Sequence, residues 1–181
     1  AIVNEDGGAR DRSRTEEWRL NVNLRLTPNA TAEYSVSWTR QEGAKNAPLH
    51  LTDGSTRYWR WPQWNIDSVY FLSTTALGDQ AVVKTRVYYN EFYNLLQAFD
   101  TRAQTSQRLP RSFDSPYQDK AYGGSAQIDV ALTGQDTLSI AAHYRRDEHN
   151  ERQLTAPGPG VNVYEPNQPS AQRTWSVAER G

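Results

Sequence analysis

The chain has 181 residues, of which 36% are hydrophobic, and its 20 basic and 21 acidic residues give a formal net charge of -1. This balance gives no reason to expect nucleic acid as a partner. The absence of cysteine excludes disulfides, thiolate metal sites and cysteine nucleophiles. No run approaches the roughly 20 apolar residues of a membrane helix. The length fits one domain, whose class has to be read from the order of polar and apolar residues.

Two runs near the start of the chain predict a β-hairpin over about residues 15–42. Apolar residues alternate with polar ones in EWRLNVNLRL and again in TAEYSVSW, which is the period of a strand. The alternate apolar positions are Trp18, Leu20, Val22, Leu24, Leu26, Ala32, Tyr34, Val36 and Trp38. Folding about Asn29 sets Leu24 opposite Tyr34, so the apolar faces of the two strands coincide.

A second hairpin is expected over about residues 58–99, folded at the two-residue turn Gly78-Asp79. In this fold, even positions of the first strand face odd positions of the second. The residues expected on the apolar face are Ile66, Tyr70 and Leu72, and, across from them, Val83, Val87 and Tyr89. Lys84 and Arg86 then point to the opposite side of the sheet.

A third hairpin is expected over about residues 121–147. The runs SAQIDVAL and LSIAAHYR fold about Gln135, which sets Val130 opposite Ile140. A seventh strand is expected from about Thr174, where a new alternating run starts. The three hairpins together predict an all-β fold built as an antiparallel meander.

The connections alternate in length along the chain. Tight turns lie near Asn29, Gly78 and Gln135, whereas long segments span about residues 42–57, 100–120 and 147–173. Outer-membrane barrels combine short turns at one end with long loops at the other. The pattern therefore predicts transmembrane β-hairpins that form a six- to seven-strand portion of a large outer-membrane β-barrel. The side chains expected to face the lumen are Lys84, Arg86, Asp129 and Arg145.

Aromatic residues at similar distances from the tight turns predict a membrane interface. Trp38 and Tyr144 each lie nine positions beyond their turn centres, and Tyr89 lies about ten beyond its own. At ~3.3 Å per residue and a tilt of about 45°, nine residues rise roughly 21 Å, close to the ~25 Å apolar band of such barrels. The interfacial aromatic set is Trp18, Trp38, Tyr89 and Tyr144.

The stretch WRWPQW lies farther from its turn and predicts a vestibule beyond the apolar band. Strand parity turns Trp59 and Trp61 toward the lumen together with Asn65 and Asp67, unless an irregularity at Pro62 reverses them. Flat amphipathic rings bind aromatic or sugar-like ligands. The candidate ligand-binding residues are Tyr58, Trp59, Trp61 and Tyr93. The alternative is that these rings pack at the lipid interface or against lipopolysaccharide.

The sequence offers no metal site, cofactor site or catalytic motif. HYRRDEHNE resembles a metal cluster, but His143 and His149 would lie about 20 Å apart in an extended strand, too far to share one ion. A solvated, charged loop entrance explains the run better. No nucleophile elbow, phosphate loop or zinc-binding helix motif appears, so we do not expect an enzyme.

The segments YWRWPQWNIDSVYFLSTTALGD and VKTRVYYNEFYNLLQAFD resemble the barrel region of TonB-dependent outer-membrane receptors, especially ferric-siderophore receptors. The resemblance implies a 22-stranded barrel with an N-terminal plug in the outer membrane of a Gram-negative bacterium. It also implies uptake of a ferric siderophore or similar scarce nutrient, driven by the TonB system. The chain contains no recognisable plug or TonB box and is interpreted as a fragment of the barrel.

That resemblance implies outer-membrane lipid and lipopolysaccharide as neighbours, and contact with the TonB system through the missing N-terminal region. Two alternatives share parts of the same pattern. A passive porin-type barrel has the same hairpins but neither plug nor TonB box. A soluble β-sandwich that binds carbohydrate through WRWPQW would bury its apolar faces between two packed sheets.

Overall fold

The computed structural model describes residues 14–47, 57–158 and 161–180, which form one antiparallel meander sheet. Its strands are β1 (Thr15–Asn29), β2 (Ala32–Asn46), β3 (Tyr58–Leu77), β4 (Ala81–Phe99), β5 (Phe113–Ala131), β6 (Thr137–Glu151), β7 (Leu154–Gly158), β8 (Val161–Tyr164) and β9 (Gln168–Arg180). The sheet runs β1-β2-β3-β4-β5-β6-β9 and is not closed. The predicted all-β antiparallel meander is confirmed. These residues include no helix, and hence none long and apolar enough to cross a membrane.

The strands extend beyond several of the expected bounds. The third hairpin, expected over about 121–147, begins at Phe113 and ends at Glu151, and the seventh strand of the meander begins at Gln168 rather than near Thr174. The segment expected as a long loop over 147–173 contains β7, which pairs with the end of β5, and β8, which pairs with β7. Of the first expected long loop, residues 48–56 lie outside the described residues.

The registers of the first and third hairpins differ from expectation by two residues. Leu24 pairs with Val36, not Tyr34. Asn29 pairs with Ala32 at the turn, and the register shifts between Asn29 and Leu26. The side-chain oxygen of Asn29 accepts hydrogen bonds from the backbone N–H and the hydroxyl of Thr31, which fixes this turn. A shift of two residues preserves which face each side chain occupies.

In the third hairpin, Val130 pairs with Leu138 rather than Ile140. The hydroxyl of Thr133 accepts hydrogen bonds from the N–H groups of Gln135 and Asp136, which makes a local turn typical of threonine. The reversal is therefore centred one residue before Gln135. As in the first hairpin, the apolar face is unchanged.

In the second hairpin, residues of β3 lie on the opposite face of the sheet from the one predicted. Gly78 has φ 65°, which a residue without Cβ adopts without strain, and the turn spans three residues because Leu77 pairs with Ala81. Tyr70 consequently faces Tyr88 instead of Val87. The expectation that Ile66, Tyr70 and Leu72 share the apolar face is wrong. Val69 and Phe71 occupy that face, beside Val87.

Register and alternation divide the sheet into two faces. The face we call apolar carries, from β1 to β9, Leu24, Val36, Phe71, Val87, Ile140 and Val177. The face we call polar carries Arg25, Lys84, Asp129 and His143. Leu24 is 66% exposed, Trp175 74% and Val177 79%. The described strands all belong to one sheet, so no second sheet among them packs on the apolar face.

The four aromatic residues predicted for an interface, Trp18, Trp38, Tyr89 and Tyr144, all lie on the apolar face. Pairing places Trp38, Val69, Tyr89 and Tyr122 side by side across four strands. The next row toward the long-loop end is charged: Arg40, Asp67, Glu91, Lys120 and Glu148. An aromatic level therefore separates an apolar band from a charged band.

Polar atoms of the aromatic level bond to the charged band. The indole N–H of Trp38 donates to Asp67 at 3.0 Å, and the hydroxyl of Tyr89 donates to Glu91 at 2.7 Å. Such rings place an apolar body on one side and a polar edge on the other, as aromatic residues do at a boundary between apolar and aqueous surroundings. The position of Asp67 corrects the expectation that it lies on the same face as Trp59 and Trp61.

Candidate functional site

Five aromatic side chains line the polar face near the long-loop end. We call Phe113, Trp59, Trp61, Trp64 and Phe92, in that spatial order, the tryptophan cluster. Ring centroids of successive members lie 6.2, 6.5, 6.3 and 5.1 Å apart, with interplanar angles of 66–88°. Edge-to-face contacts at these distances are the favourable geometry for aromatic pairs. The cluster is thus a continuous aromatic surface supplied by three strands.

A β-bulge brings the three tryptophans to one face. Register shifts between Arg60 and Gln63, where Pro62 has no N–H to donate to the ladder. Without the shift, Trp61 and Trp64 would point to opposite faces, because they are an odd number of positions apart. The sequence WRWPQW therefore encodes a kink that gathers its indoles on the polar face.

The four predicted ligand-binding residues are divided between the two faces. Trp59 and Trp61 belong to the tryptophan cluster, whereas Tyr58 pairs with Phe99 and Tyr93 pairs with Asn65 on the opposite face. The structure therefore brings Trp59 and Trp61 together and leaves Tyr58 and Tyr93 on the other face. Trp64, Phe92 and Phe113 complete the cluster. Phe92 has the same strand parity as Lys84 and Arg86, and this parity is the signal that could have identified it. The bulge that recruits Trp64 has no signal in the sequence beyond Pro62.

Two cations border the tryptophan cluster. The Lys45 ammonium lies 4.2 Å from the centroid of the Trp64 ring, and the Arg57 guanidinium lies 4.8 Å from that of Trp59. Both distances fall within the range of favourable cation–π contacts. The aromatic surface consequently carries positive charge at its margins, which attracts anionic groups on a bound molecule.

A cavity of about 800 Å³ adjoins the cluster on the polar face. Phe92 links the two, because it contacts Trp64 and also lines the cavity. Lining residues come from five strands, β3 to β6 and β9, which requires the sheet to curve around the polar face. The volume is in the range of small-molecule binding sites.

The residues predicted to face a lumen share the polar face. The Lys84 ammonium lies 2.9 Å from Asp129, and the Arg86 guanidinium lies 4.9 Å from the Tyr88 ring centroid. Arg145 forms an ion pair of 2.7 Å with Asp147, and both line the cavity. Lys84 and Arg145 are thus each paired with a carboxylate, whereas Arg86 contacts aromatic rings.

The connection from Asp100 to Ser112 is folded over the end of β4 and β5. The side-chain amide of Gln107 donates to the carbonyl oxygens of Ala98 at 3.1 Å and Phe113 at 3.0 Å, which ties the loop to both strands. The amide of Gln104 donates to the carbonyl of Trp59 at 3.4 Å. The loop is thereby held next to the tryptophan cluster.

Asp100 organises this loop. Its carboxylate accepts hydrogen bonds from the N–H groups of Arg108 at 2.8 Å and Leu109 at 3.0 Å, and from the hydroxyls of Ser106 and Ser112. Burial opposes ionisation, but these hydrogen bonds to the charged form outweigh it and hold the pKa of Asp100 well below its usual value. The carboxylate is therefore ionised wherever the loop is folded at ordinary pH.

His149 lies on the polar face, three residues beyond Arg146, which pairs with Tyr122 of the aromatic level. Its Nδ1 contacts the carboxylate of Asp119, and its Nε2 lies 3.4 Å from Glu151. The bond to Asp119 raises the pKa of His149 above the usual 6.5, against the opposing effect of partial burial. No group of three or more His, Asp or Glu residues within the described ranges is arranged to hold a metal ion.

We expect His149 to give the folded protein a pH-dependent stability. Its pKa is raised on folding, so its contribution is fully present below the unfolded value and is lost as pH rises through the folded value. Titration of the His149 ring protons by NMR in the purified protein should give a midpoint above 6.5. Asp119→Asn should lower that midpoint, while the control Asp79→Asn, at an exposed turn, should leave it unchanged. A midpoint below 6.5 in the unchanged protein would contradict the geometry.

No protein-family model, no curated protein and no solved structure matches this chain. The function has to be inferred from the side chains on the two faces. The apolar face carries an uncovered band bounded by aromatic residues, and the polar face carries an aromatic cluster beside a cavity.

Proposed function

We propose that this chain is part of the wall of an outer-membrane β-barrel receptor that takes up a ferric siderophore or a similar scarce nutrient with energy from the TonB system. The observation that carries the proposal is the uncovered apolar face. Leu24, Trp175 and Val177 are each at least 66% exposed on it. Contiguous apolar surface of this kind is costly in water and stable against acyl chains.

The two boundaries of that face fit a bilayer. Tight turns end the apolar band on one side, and the aromatic level of Trp38, Tyr89 and Tyr122 ends it on the other. Interfacial aromatic residues flank the apolar band of outer-membrane barrels in this way. The charged band beyond them then lies among lipid headgroups and lipopolysaccharide.

The open edges fit a larger barrel. Among the described strands, β1 pairs only with β2, and β9 pairs only with β6. In hydrocarbon, every unpaired backbone N–H and C=O costs several kcal/mol, by the general cost of burying such groups, roughly 2–7 kcal/mol each. Both edges therefore require further strands. A soluble β-sandwich is less well supported, because the described strands do not include a second sheet packed on the first.

The polar face supplies the ligand contacts in this proposal. Trp59, Trp61 and Trp64 offer stacking surface at the long-loop end, and Lys45 and Arg57 attract anionic groups to it. The cavity beside Phe92 lies next along the same face. A ligand captured at the tryptophan cluster would therefore pass into the barrel along the charged side chains of the polar face.

The test is uptake of labelled ferric siderophores by cells that produce the full-length protein. We expect uptake to require TonB, and Trp61→Ala to weaken the apparent affinity by about tenfold, because about 1.4 kcal/mol of ring contact is lost. Tyr93→Ala is the matched control, since Tyr93 lies on the opposite face, and it should retain normal affinity.

The outcomes separate the competing functions. Uptake that is equal with and without TonB would identify a passive porin-type channel and overturn active transport. Recovery of the protein in the soluble fraction would overturn the membrane assignment. If Tyr93→Ala weakens uptake and Trp61→Ala does not, the binding site lies on the opposite face from the one proposed.

A further inference from the structure

His149 lies between two carboxylates on the polar face. It pairs directly with Asp119 of β5, and its Nδ1 contacts that carboxylate. Its Nε2 lies 3.4 Å from the carboxylate of Glu151, two residues farther along β6. A neutral imidazole carries one N–H, whereas an imidazolium carries two. Only the protonated ring can therefore donate to both carboxylates at once.

The strands beside His149 supply its other neighbours on the polar face. From β5, the ring centroid of Tyr117 lies 6.1 Å from that of His149. On β6, Asp147 is held by Arg145 at 2.7 Å. The side chains that β9 contributes next to them are uncharged: Gln168, Ser170 and Gln172. The titratable and charged groups that face His149 are therefore Asp119, Tyr117, Asp147, Glu151 and Arg145.

His149 and Asp119 both line the cavity of about 800 Å³ beside the tryptophan cluster. The other charged side chains of the polar face that line it are Arg145 and Asp147, which compensate each other. Three further charged residues border the cavity, but register places them on the apolar face: Glu91, Lys120 and Glu148. The charge of the cavity is therefore decided by Asp119 and His149. It is close to zero when His149 is protonated, and one negative charge remains when His149 is neutral.

The His149 ring exchanges protons readily with water. Its side chain is 39% exposed and that of Asp119 is 46% exposed, so the proton can leave without unfolding of the strands. The hydrogen bond to Asp119 raises the pKa of His149 above the usual 6.5; partial burial opposes this shift, and Glu151 adds to it. The ring is therefore charged below pH 6.5 and loses its proton as the pH rises through the higher folded value.

We propose that His149 is a proton-operated switch that sets the charge selectivity of the cavity. When protonated, it admits anionic molecules, and when neutral, it leaves the carboxylates of Asp119 and Glu151 to repel them. The inference rests on the proposed function and deepens it, because ligands reach the cavity only if the polar face lines the lumen. Lys45 and Arg57 draw anions to the tryptophan cluster, and His149 then decides whether they go farther.

The test measures the local charge with a thiol placed opposite His149. Ser170→Cys introduces that thiol, because Ser170 is exposed, lines the cavity and pairs directly with His149. The purified full-length protein is treated at low ionic strength with sulfonatoethyl methanethiosulfonate, an anion, or with trimethylammonioethyl methanethiosulfonate, a cation. Labelling at position 170 is followed by mass spectrometry of the peptide that contains it. Both reagents attack the same thiolate, so the ratio of their rates cancels the titration of the thiol.

We expect the ratio of anionic to cationic labelling to fall about tenfold between about pH 6 and about pH 8.5, because a positive charge beside the thiol is lost. His149→Asn should give the low ratio at every pH, since its side chain has no proton to lose in this range. His143→Asn is the matched control. His143 is also a histidine on the polar face of β6, but it pairs with Ser125 and lies outside the cavity, so the control should keep the fall.

The outcomes are decisive in each case. A ratio that does not change with pH, or a fall that persists in His149→Asn, would overturn the switch. Asp119→Asn is a second variant in case His149→Asn does not fold. It should raise the ratio at about pH 8.5, because the uncompensated carboxylate is gone, and an unchanged ratio would overturn the role of Asp119.

The proposed function and the switch fail separately. Labelling of the purified protein requires neither TonB nor a nutrient. If the protein is absent from the outer-membrane fraction, the proposed function fails, whatever the labelling ratio. If uptake requires TonB and the ratio is independent of pH, only the switch at His149 fails.

Discussion

Replacing Gly123 by alanine is expected to prevent β5 from pairing normally with β6. A Cβ at this position would lie 2.1 Å from the carbonyl oxygen of Tyr144 and 3.0 Å from the Cα of Arg145. It would also lie 3.0 Å from the hydroxyl of Tyr88 on β4, which is among the few buried side chains of the sheet. The obstacle is backbone, which cannot rotate away, so we expect a loss of stability above about 4 kcal/mol.

The measurement is the fraction of full-length protein that folds, read from heat-modifiable gel mobility after expression. Gly134→Ala is the matched control, because a Cβ at Gly134 meets nothing within 4 Å and that glycine has no positive φ. We expect the control to fold normally and the Gly123 variant to remain unfolded. A normally folded Gly123→Ala protein would show that β5 and β6 do not approach each other this closely at Gly123.

The sequence predicted the fold where errors of register were harmless. Shifts of two residues in the hairpins at Asn29 and Gln135 left each side chain on its predicted face, because the period of a strand is two. The hairpin at Gly78 is different. Its turn spans three residues instead of two, and that odd change placed Tyr70 on the face opposite to the one predicted. The number of turn residues determines which face each side chain occupies. The alternation of polar and apolar residues does not reveal that number.

The candidate site was predicted only in part for a related reason. Trp59 and Trp61 were expected to face the lumen, and they lie on the polar face. The bulge at Pro62 brings Trp64 to the same face, which was not predicted. Phe113 lies in a segment expected to be a loop, although it begins β5. A proline within a strand pattern indicates an irregularity without giving its direction, so pairing partners from the whole sheet were needed to place these rings.

Replacing Asp100 by alanine is expected to release the loop between β4 and β5. The carboxylate accepts hydrogen bonds from two backbone N–H groups and two hydroxyls of the loop, and Asp100 is only 7% exposed. Each hydrogen bond to a charged group contributes about 1.5–3 kcal/mol, so losing the set should cost at least about 3 kcal/mol of local stability. Tryptic cleavage after Arg108 and Arg111 should then rise by about 100-fold.

The pH dependence of the same loop distinguishes a hydrogen-bonded carboxylate from a merely buried one. The pKa of Asp100 is lowered on folding, so its stabilising contribution is present above the usual carboxyl value of 3.8 and is lost only as pH falls through the lower folded value. Hydrogen-exchange protection of the Arg108 and Leu109 amides, corrected for intrinsic rates, should stay constant from about pH 8 to pH 4. If burial instead raised the pKa of this carboxyl, the amides would lose their protection within this pH range. The control Asp79→Ala, in an exposed turn, should leave the protection unchanged.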